Sequence, residues 1–340
     1  MTLAMFATQP GYSFASDDQE PVKEQKNYPF SLVFENDIIG GTDEGYTNGV
    51  IISVSDPWRK ESDKKPQGLI FDLGDKLTFI PTAGREKRRT FAFGQSMVTP
   101  SDIDIEEYIE DDYPYAGLVF ARVDWSYQND KHADTFGIVL GLIGPSSQAD
   151  AMQKWVHKGI GADKPEGWHN QLKDEPAINI SYEHKLKLYD SFMGKKHSVT
   201  DMAWDVTSYA GGSAGNLMSD VHTGAILRFG TGANRFPSTI YRGGVGALPD
   251  VGYSAKASFV YYFLLGLEGQ CTFNTFITEG NTFENTHSLD RKPFSLSSYG
   301  GIGLGYNRFR LIFFTVRGSK KFEEQHQKHR YGSITLGWIF

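Results

Sequence analysis

Residues 331–340 read YGSITLGWIF, and from Ile334 onward an apolar side chain stands at every second position. The apolar positions are Ile334, Leu336, Trp338 and Phe340, and the small or polar positions between them are Ser333, Thr335 and Gly337. Because successive side chains of a strand point to opposite faces, this pattern predicts a strand with one apolar and one polar face. Outer-membrane barrels commonly close with such a strand, although an edge strand of a soluble sheet shows the same alternation.

The same alternation recurs along the chain, between turn residues. It predicts twelve strands, at 29–37, 46–55, 90–99, 114–128, 133–143, 175–189, 199–213, 221–230, 256–277, 294–306, 308–318 and 331–340. Most reach the roughly 9–11 residues that a tilted membrane strand needs, whereas strands of soluble sheets are typically about 5–6 residues long. The pattern therefore predicts an all-β protein, an antiparallel transmembrane β-barrel of about 12 strands. A soluble all-β binding module is the alternative.

Composition agrees with a chain of many strands. Of the 340 residues 39% are hydrophobic and 14% aromatic, and 37 are glycine, a balance typical of strands and turns. No apolar run reaches the roughly 18 residues of a membrane-spanning helix, which excludes a helical membrane protein. The net charge of −7 comes without a basic stripe, so we expect no nucleic-acid partner. Cys271 is the single cysteine, which excludes an intrachain disulfide.

The chain divides into two predicted parts. Residues 1–28 read as a leader remnant or a flexible N-terminal segment, and residues 29–340 as one barrel domain. Two connections, 56–89 and 231–255, are long, although the connections at the periplasmic end of such a barrel are expected to be short. Either they are periplasmic elaborations or a further pair of strands lies there.

Strand parity sorts the connections. With an even strand count both chain ends lie at one rim, so every odd-numbered connection lies at the other rim, the outer surface of an outer-membrane barrel. Connection 5 (144–174) is one of these, and it contains SQADAMQKWVHKGI at 147–160, which predicts a short helix with Gln153 and His157 four apart on one face. A single histidine on a surface helix is most often merely solvated.

A second candidate lies in the first hairpin. Asn36 and Asp37 end the first strand, and Thr47 begins the second after a glycine-rich loop. Carboxylate, amide and hydroxyl oxygens suit a hard cation such as calcium, although an ordinary acidic hairpin tip is the simpler interpretation. Strand parity places these residues, Asp112 of an acidic third connection and His157 at the same rim.

At these positions the chain resembles the outer-membrane lipid A 3′-O-deacylase family. The resemblance runs along most of the chain in order and spacing. Its segments are Glu35-Asn36-Asp37 with Tyr46-Thr47-Asn48-Gly49, then Asp112-Tyr113-Pro114-Tyr115-Ala116-Gly117, and Gly144-Pro145 leading to Gln153-Lys154-Trp155-Val156-His157-Lys158-Gly159-Ile160-Gly161-Ala162. The last segment is the most specific.

The resemblance implies a twelve-stranded barrel with a calcium-dependent esterase site that faces the outer leaflet of the Gram-negative outer membrane, acting on lipid A or lipopolysaccharide. It implies His157 as the catalytic histidine, with Gln153, Asn36 and Thr47 beside it and Asp37 at the metal. It implies Asp163 as a second residue at the metal, at a position where the family carries an acidic residue. We predict no protein partner.

One departure from the family concerns phosphate. The lysine expected ahead of the Asp112 segment is absent, and Glu110 stands about there, which puts the substrate's phosphate contacts in doubt because a carboxylate cannot hold a phosphate.

Ester hydrolysis would use His157 as the general base on water and a calcium ion for the developing negative charge. No Gly-x-Ser-x-Gly turn is present, which argues against a serine lipase. The alternatives are an outer-membrane phospholipase of the same barrel type and a non-enzymatic pore or adhesin.

Overall fold

Twelve antiparallel strands form a closed barrel. The computed structural model describes residues 28–37, 45–60, 63, 76, 80, 82–192, 198, 200–232, 236–239, 259–325 and 328–340. The strands are β1 Pro29–Asn36, β2 Gly45–Ser55, β3 Glu86–Thr99, β4 Ala116–Gln128, β5 His132–Ile143, β6 Glu175–Asp190, β7 Ala203–Gly215, β8 Met218–Gly230, β9 Phe259–Thr275, β10 Phe294–Tyr306, β11 Phe309–Gly318 and β12 Arg330–Ile339. Each strand pairs with its neighbours in sequence, and β1 pairs with β12 to close the barrel.

Within the described residues, four short helices have defined bounds. They are α1 Ala149–Ile160 and α2 Phe276–Glu279, with 3₁₀ turns at Pro145–Ser147 and Gly167–Asn170. The predicted helix over 147–160 is confirmed, starting two residues later because a 3₁₀ turn precedes it. None of the helices in the described part of the chain is long and apolar enough to cross a membrane.

The strand predictions are confirmed for all twelve strands, with differences at their ends. β3 begins at Glu86 and not at residue 90, because Glu86 pairs with Gln128 of β4. β7 covers Ala203–Gly215 in place of 199–213, since its end is set by pairing with β6. Charged residues at the start of β3 and glycines near the end of β7 obscure the alternation of apolar and polar residues. The hydrogen bonds to the neighbouring strands set these two ends.

The two long connections add no strands to the wall. β2 pairs directly with β3, and β8 pairs directly with β9. A further pair of strands from 56–89 or 231–255 is therefore not part of the barrel wall. Large parts of both connections lie outside the described residues, as do residues 1–27 of the predicted leader or flexible segment.

Side chains alternate between a packed interior and an apolar outer surface. On β9, for example, Leu265 and Leu267 are more than 60% exposed, whereas Leu264 and Glu268 on either side of them are buried. The final strand follows the same rule, with Leu336 and Trp338 outward and Thr335 buried inside. This arrangement gives the barrel an apolar belt.

The interior is filled by side chains. Arg122 donates from Nε to Asp124 Oδ1 at 2.8 Å, and Arg228 donates from Nε to Asp205 Oδ2 at 2.8 Å, with all four residues buried. A buried charge is tolerated when it is paired and hydrogen-bonded in this way. Because the described inward side chains are packed against one another, they do not line an open channel.

Candidate functional site

Helix α1 lies on the outer surface of the barrel wall. Gly117 of β4 points outward, in alternation with the buried Leu118, and a Cβ atom there would collide with Ser147 and Ala149 at the start of the helical segment. Gln95 of β3, also outward, donates from Nε2 to the Ser147 carbonyl at 2.6 Å. The fifth connection therefore folds back over β3 and β4 at the rim where the odd connections lie.

The strands under and beside this helix carry one continuous row of outward residues. Asn36 of β1 pairs with Asn48 of β2, Asn48 pairs with Met97 of β3, and Met97 pairs with Gly117 of β4. Directly opposed side chains of antiparallel strands share a face, with Cβ atoms about 4.5–5.5 Å apart. We call Asn36, Asn48, Met97 and Gly117 the outer row; it connects the end of β1 to the helix.

Met97 joins the row to the helix by packing. It is buried in one cluster with Tyr115, Ala149 and Trp168. The Tyr115 and Trp168 rings lie 4.9 Å apart, and Tyr115 OH donates to the Ile103 carbonyl at 3.2 Å. Burial raises the pKa of Tyr115 to about 12, so its hydroxyl stays neutral. Residues from the third and fifth connections and from β3 thus fix the helix on the wall.

Gln153 is held inside this packing. Trp168 Nε1 donates to Gln153 Oε1 at 2.6 Å, and the two residues are only 2% and 3% exposed. This bond fixes the orientation of the amide, because the indole can only donate. Gln153 Nε2 is buried and has no hydrogen-bond partner in the described part of the chain. A buried donor without a partner costs about 1–3 kcal/mol, so this group is a candidate for contact with a ligand.

His157 lies one turn after Gln153 on the same face of α1. Gly161 ends the helix with φ +72°, a left-handed conformation that favours glycine, and the chain turns back towards the histidine. His157 Nδ1 lies 2.5 Å from the Asp163 carbonyl oxygen. A carbonyl oxygen only accepts, so Nδ1 donates and Nε2 carries the lone pair. The turn therefore sets the tautomer that a general base requires.

Oxygen atoms gather at the other end of the outer row. Asp37 directly follows β1 and is fully buried. The Asn48 Oδ1 atom is buried without a hydrogen-bond partner among the described residues. No three His, Cys, Asp or Glu side chains of those residues are arranged to hold a metal ion. A cation here would draw on amide and backbone oxygens beside the carboxylate, a donor set that fits calcium better than zinc.

The remaining predicted residues fall in different places. Thr47 lies in β2 next to Asn48, but its side chain is outside the described residues. The Asp163 carboxylate is on an exposed residue, and the backbone carbonyl makes the contact to His157. Asp112 accepts hydrogen bonds from Ser101 and from the Tyr113 N–H, so it orders the third connection.

A second link between the connections involves His287. Its Nδ1 contacts the Tyr108 hydroxyl, and the two rings lie 4.9 Å apart. Burial lowers the pKa of His287, and a backbone hydrogen bond at Asp112 with the charges of Asp112 and Glu110 only partly opposes this. The third and ninth connections are therefore joined by a neutral histidine.

Three of these contributors were not predicted as site residues. Asn48 belongs to the segment Tyr46-Thr47-Asn48-Gly49, but no role was predicted for it. Met97 and Trp168 carry no local signal, because the first depends on cross-strand register and the second on a contact 15 residues away from Gln153.

Comparison with known proteins gives a family. The family model described as outer membrane protein LpxR matches residues 1–340. The solved structure of LpxR from Salmonella typhimurium matches with a TM-score of 0.71 at 14% identity, covering 92% of this chain and 100% of that chain. The β domain of the Bordetella autotransporter Brka matches with a TM-score of 0.41 at 8% identity, covering 93% and 98% of the two chains. No curated protein matches the sequence significantly. The chain belongs to the LpxR family of outer membrane proteins, as the resemblance predicted, and is a twelve-stranded β-barrel of the outer membrane.

Proposed function

We propose that this protein is a calcium-dependent outer-membrane esterase that hydrolyses the 3′-linked acyl ester of lipid A, with His157 as the general base. The observation that carries the proposal is the face of α1 on which hydrogen bonds hold both Gln153 and His157. His157 has its Nδ1 atom committed to the Asp163 carbonyl, and the Gln153 amide donor is buried one turn away. A base and an unused donor on one rigid face are what ester hydrolysis requires.

His157 removes a proton from water. Its Nε2 atom carries the lone pair, and the Asp163 carbonyl stabilises the imidazolium that forms by accepting from Nδ1. The deprotonated water attacks the ester carbonyl, and the imidazolium then protonates the leaving oxygen. An imidazole suits both steps because it can accept a proton at one ring nitrogen and release it again.

Gln153 donates to the oxygen that gains charge. Its Nε2 atom has no partner among the described residues, and Trp168 prevents the amide from turning its carbonyl toward the substrate. A donor that is already oriented needs no reorganisation during the reaction, and removing one such donor typically lowers kcat by about 10²–10³.

Asp37 and the amide oxygens of Asn36 and Asn48 would hold the calcium ion, with Thr47 and Asp163 as the further ligands or neighbours that the family resemblance implies. Calcium bound there would polarise the ester carbonyl as a Lewis acid. Asn36 and Asn48 point outward on the lipid-facing surface of the wall, so a metal ion that they hold would be accessible to an ester of a membrane lipid.

The position of the site supports a lipid substrate over a permeating solute. The outer row and α1 lie on the outer surface of the wall, whereas the described interior is packed with ion pairs such as Arg228–Asp205. A pore would need the reverse arrangement. The substrate keeps its acyl chains against the apolar belt and brings only its headgroup to the rim.

Mass spectrometry of lipid A tests the proposal. Cells that express the protein should yield lipid A lacking the 3′-linked acyl group, and His157→Ala should abolish this loss while the barrel still shows heat-modifiable migration in detergent. His169→Ala is the matched control, since His169 is an exposed histidine of the same connection. Unchanged lipid A in cells with the wild-type protein would contradict the proposal, and release of fatty acid from glycerophospholipids instead would support the phospholipase.

A further inference from the structure

A groove on the outer surface of the barrel follows strand β9 between its neighbours β8 and β10. Its volume is about 770 Å³, within the range of about 300–1,000 Å³ that is typical of small-ligand sites. We call it the β9 groove. Its lining includes two cross-strand rows of outward residues, Val221–Cys271–Phe294 and Thr223–Gly269–Leu296.

The floor of the β9 groove is low because β9 carries small side chains there. Gly269 and Cys271 are the central members of the two rows. On the β10 side Phe294 and Leu296 are 74% and 64% exposed, and on the β8 side Val221 is also exposed, so larger side chains stand on both sides of this floor. The groove therefore runs along the strand and has an apolar lining.

Gly269 keeps this space open, although the wall itself does not require a glycine there. A Cβ atom at Gly269 would meet no atom within 4 Å, whereas one at the inward Gly266 would collide with the Tyr299 ring. Gly269 also lacks the positive φ that favours glycine. A glycine inside a strand weakens the strand and often marks a place where another molecule approaches closely. The space above Gly269 is therefore the feature that needs an explanation.

The β9 groove and helix α1 lie on opposite sides of the barrel. Helix α1 rests on β3 and β4, and β9 follows β3 by six strands in a closed barrel of twelve. The upper end of the groove lies near the rim where the odd connections are, because β9 ends at Thr275 and the ninth connection leaves there. A molecule in the groove is therefore separate from one bound at His157, and it belongs to the outer leaflet.

We infer that the β9 groove binds one acyl chain of a lipid A molecule of the outer leaflet, as a second lipid site apart from α1. The chain belongs to a family of outer membrane proteins, so acyl chains are the medium that this surface meets. The exposed Leu267 and Phe273 stand at the two ends of the floor, six residues apart on β9.

The length of the β9 groove fits one leaflet. Six residues of strand span about 20 Å, at about 3.3 Å per residue. With a strand tilt of about 35–45° this covers about 15 Å along the membrane normal, which is half of a hydrocarbon core about 30 Å thick. A single flexible chain fills such a groove, whereas the convex wall of a second barrel does not enter it.

Filling the β9 groove tests the inference. Gly269→Leu places a side chain in open space, so the barrel should assemble and keep its heat-modifiable migration. The protein carries His157→Ala to keep lipid A intact, is titrated with lipid A in a mild detergent, and its bound lipid is counted by native mass spectrometry. We expect one lipid A whose affinity falls about 10-fold or more with Gly269→Leu, since the side chain displaces several CH₂ groups from contact.

Two further variants complete the titration. Phe294→Ala removes one side of the groove without filling it and should also weaken binding of this lipid. Ala214→Leu is the matched control, because Ala214 is an exposed, outward residue of β7 that does not line the groove. Equal retention of lipid A with and without Gly269→Leu, or tighter binding of phosphatidylglycerol than of lipid A, would overturn the inference.

Photochemical cross-linking identifies the molecule in the groove. p-Benzoylphenylalanine is placed at Phe294, and the protein is irradiated after purification in detergent, when only retained molecules remain in reach. We expect an adduct with the mass of lipid A that Gly269→Leu reduces about 10-fold. The same probe at Phe313, an exposed residue of β11, is the control and should give no adduct. A cross-link between two copies of the chain, or an adduct with a phospholipid, would overturn the inference. Neither experiment needs ester hydrolysis, so the outcome is independent of the proposed function.

Discussion

The contact between Trp168 and Gln153 gives the sharpest prediction. Replacing Trp168 with Phe keeps a ring in the cluster with Met97, Tyr115 and Ala149 but removes the Nε1 donor that contacts Gln153 Oε1 at 2.6 Å. Gln153 is 3% exposed, so water cannot replace the donor. The Gln153 amide then stays in the cluster, but the hydrogen bond that fixes its orientation is lost.

The size of the effect follows from the lost bond. A neutral hydrogen bond contributes about 1 kcal/mol net, and a buried acceptor left without a partner costs about 1–3 kcal/mol. We therefore expect the free energy of unfolding to fall by about 1–3 kcal/mol. Transition-state stabilisation should fall by about 1–2 kcal/mol, roughly a 5- to 30-fold loss in kcat, because the Nε2 donor is no longer held toward the substrate. KM should change little, since the substrate's tail and headgroup contacts remain.

The assay measures initial rates of 3′ ester hydrolysis in mixed micelles together with the temperature of barrel unfolding. Gln153→Ala should lose more activity than Trp168→Phe, about 10²–10³ in kcat. Adding Trp168→Phe to Gln153→Ala should then have no further effect on kcat, because the group that the tryptophan orients is gone. Trp155→Phe on the same helix is the control, since Trp155 is 72% exposed.

Two outcomes would refute this reasoning. The first is a Trp168→Phe protein that loses stability as expected and keeps wild-type kcat, which would make the tryptophan purely structural. The second is an equal loss of kcat with and without Gln153, which would mean that Trp168 acts through another group.

Three further predictions follow from the same part of the molecule. Gly117→Val should abolish activity while the barrel still assembles, because a side chain there collides with Ser147 and Ala149; the measurement is the hydrolysis rate beside heat-modifiable migration. Asn48→Ala should raise the calcium concentration for half-maximal activity about 10-fold, measured by titration, if its buried oxygen is a ligand; a mutant with an unchanged midpoint would exclude that role. Burial lowers the pKa of His287, so the unfolded loop binds the proton more readily and the loop should lose stability as the pH falls below about 6.5. Hydrogen exchange in this loop should therefore accelerate between pH 7 and 5, and His287→Asn should remove that dependence.

The fold was predictable from sequence because the alternation of residue types within each strand shows which side chains face lipid and which face the interior. Every second residue meets either lipid or the packed interior, so 331–340 and eleven other segments show the alternation without reference to their neighbours. The start of β3 was not predictable in this way. Glu86 to Arg89 are four charged residues in a row, and only pairing with β4 makes them a strand.

The site was predictable where it is local and not where it depends on register. Gln153 and His157 share a helix face, and their spacing alone indicates this. Asn48 and Met97 become neighbours only once the strands are aligned, and a shift of one residue would turn each to the other face. The roles of Asn36, Asp37, Thr47 and Asp163 came from resemblance and stay predictions.

The packed interior of the barrel stabilises the wall that carries the site on its outer surface. Ester hydrolysis of a membrane lipid needs a rigid base and donor at the leaflet surface, and rigidity comes from what lies behind them. Inward residues of the same strands, such as Leu118 beside Gly117 and Val98 beside Met97, are buried and fix the wall on which α1 rests. A wide aqueous lumen would leave that wall without packing behind it. A closed, side-chain-filled barrel is therefore the scaffold that a site on its outer surface requires.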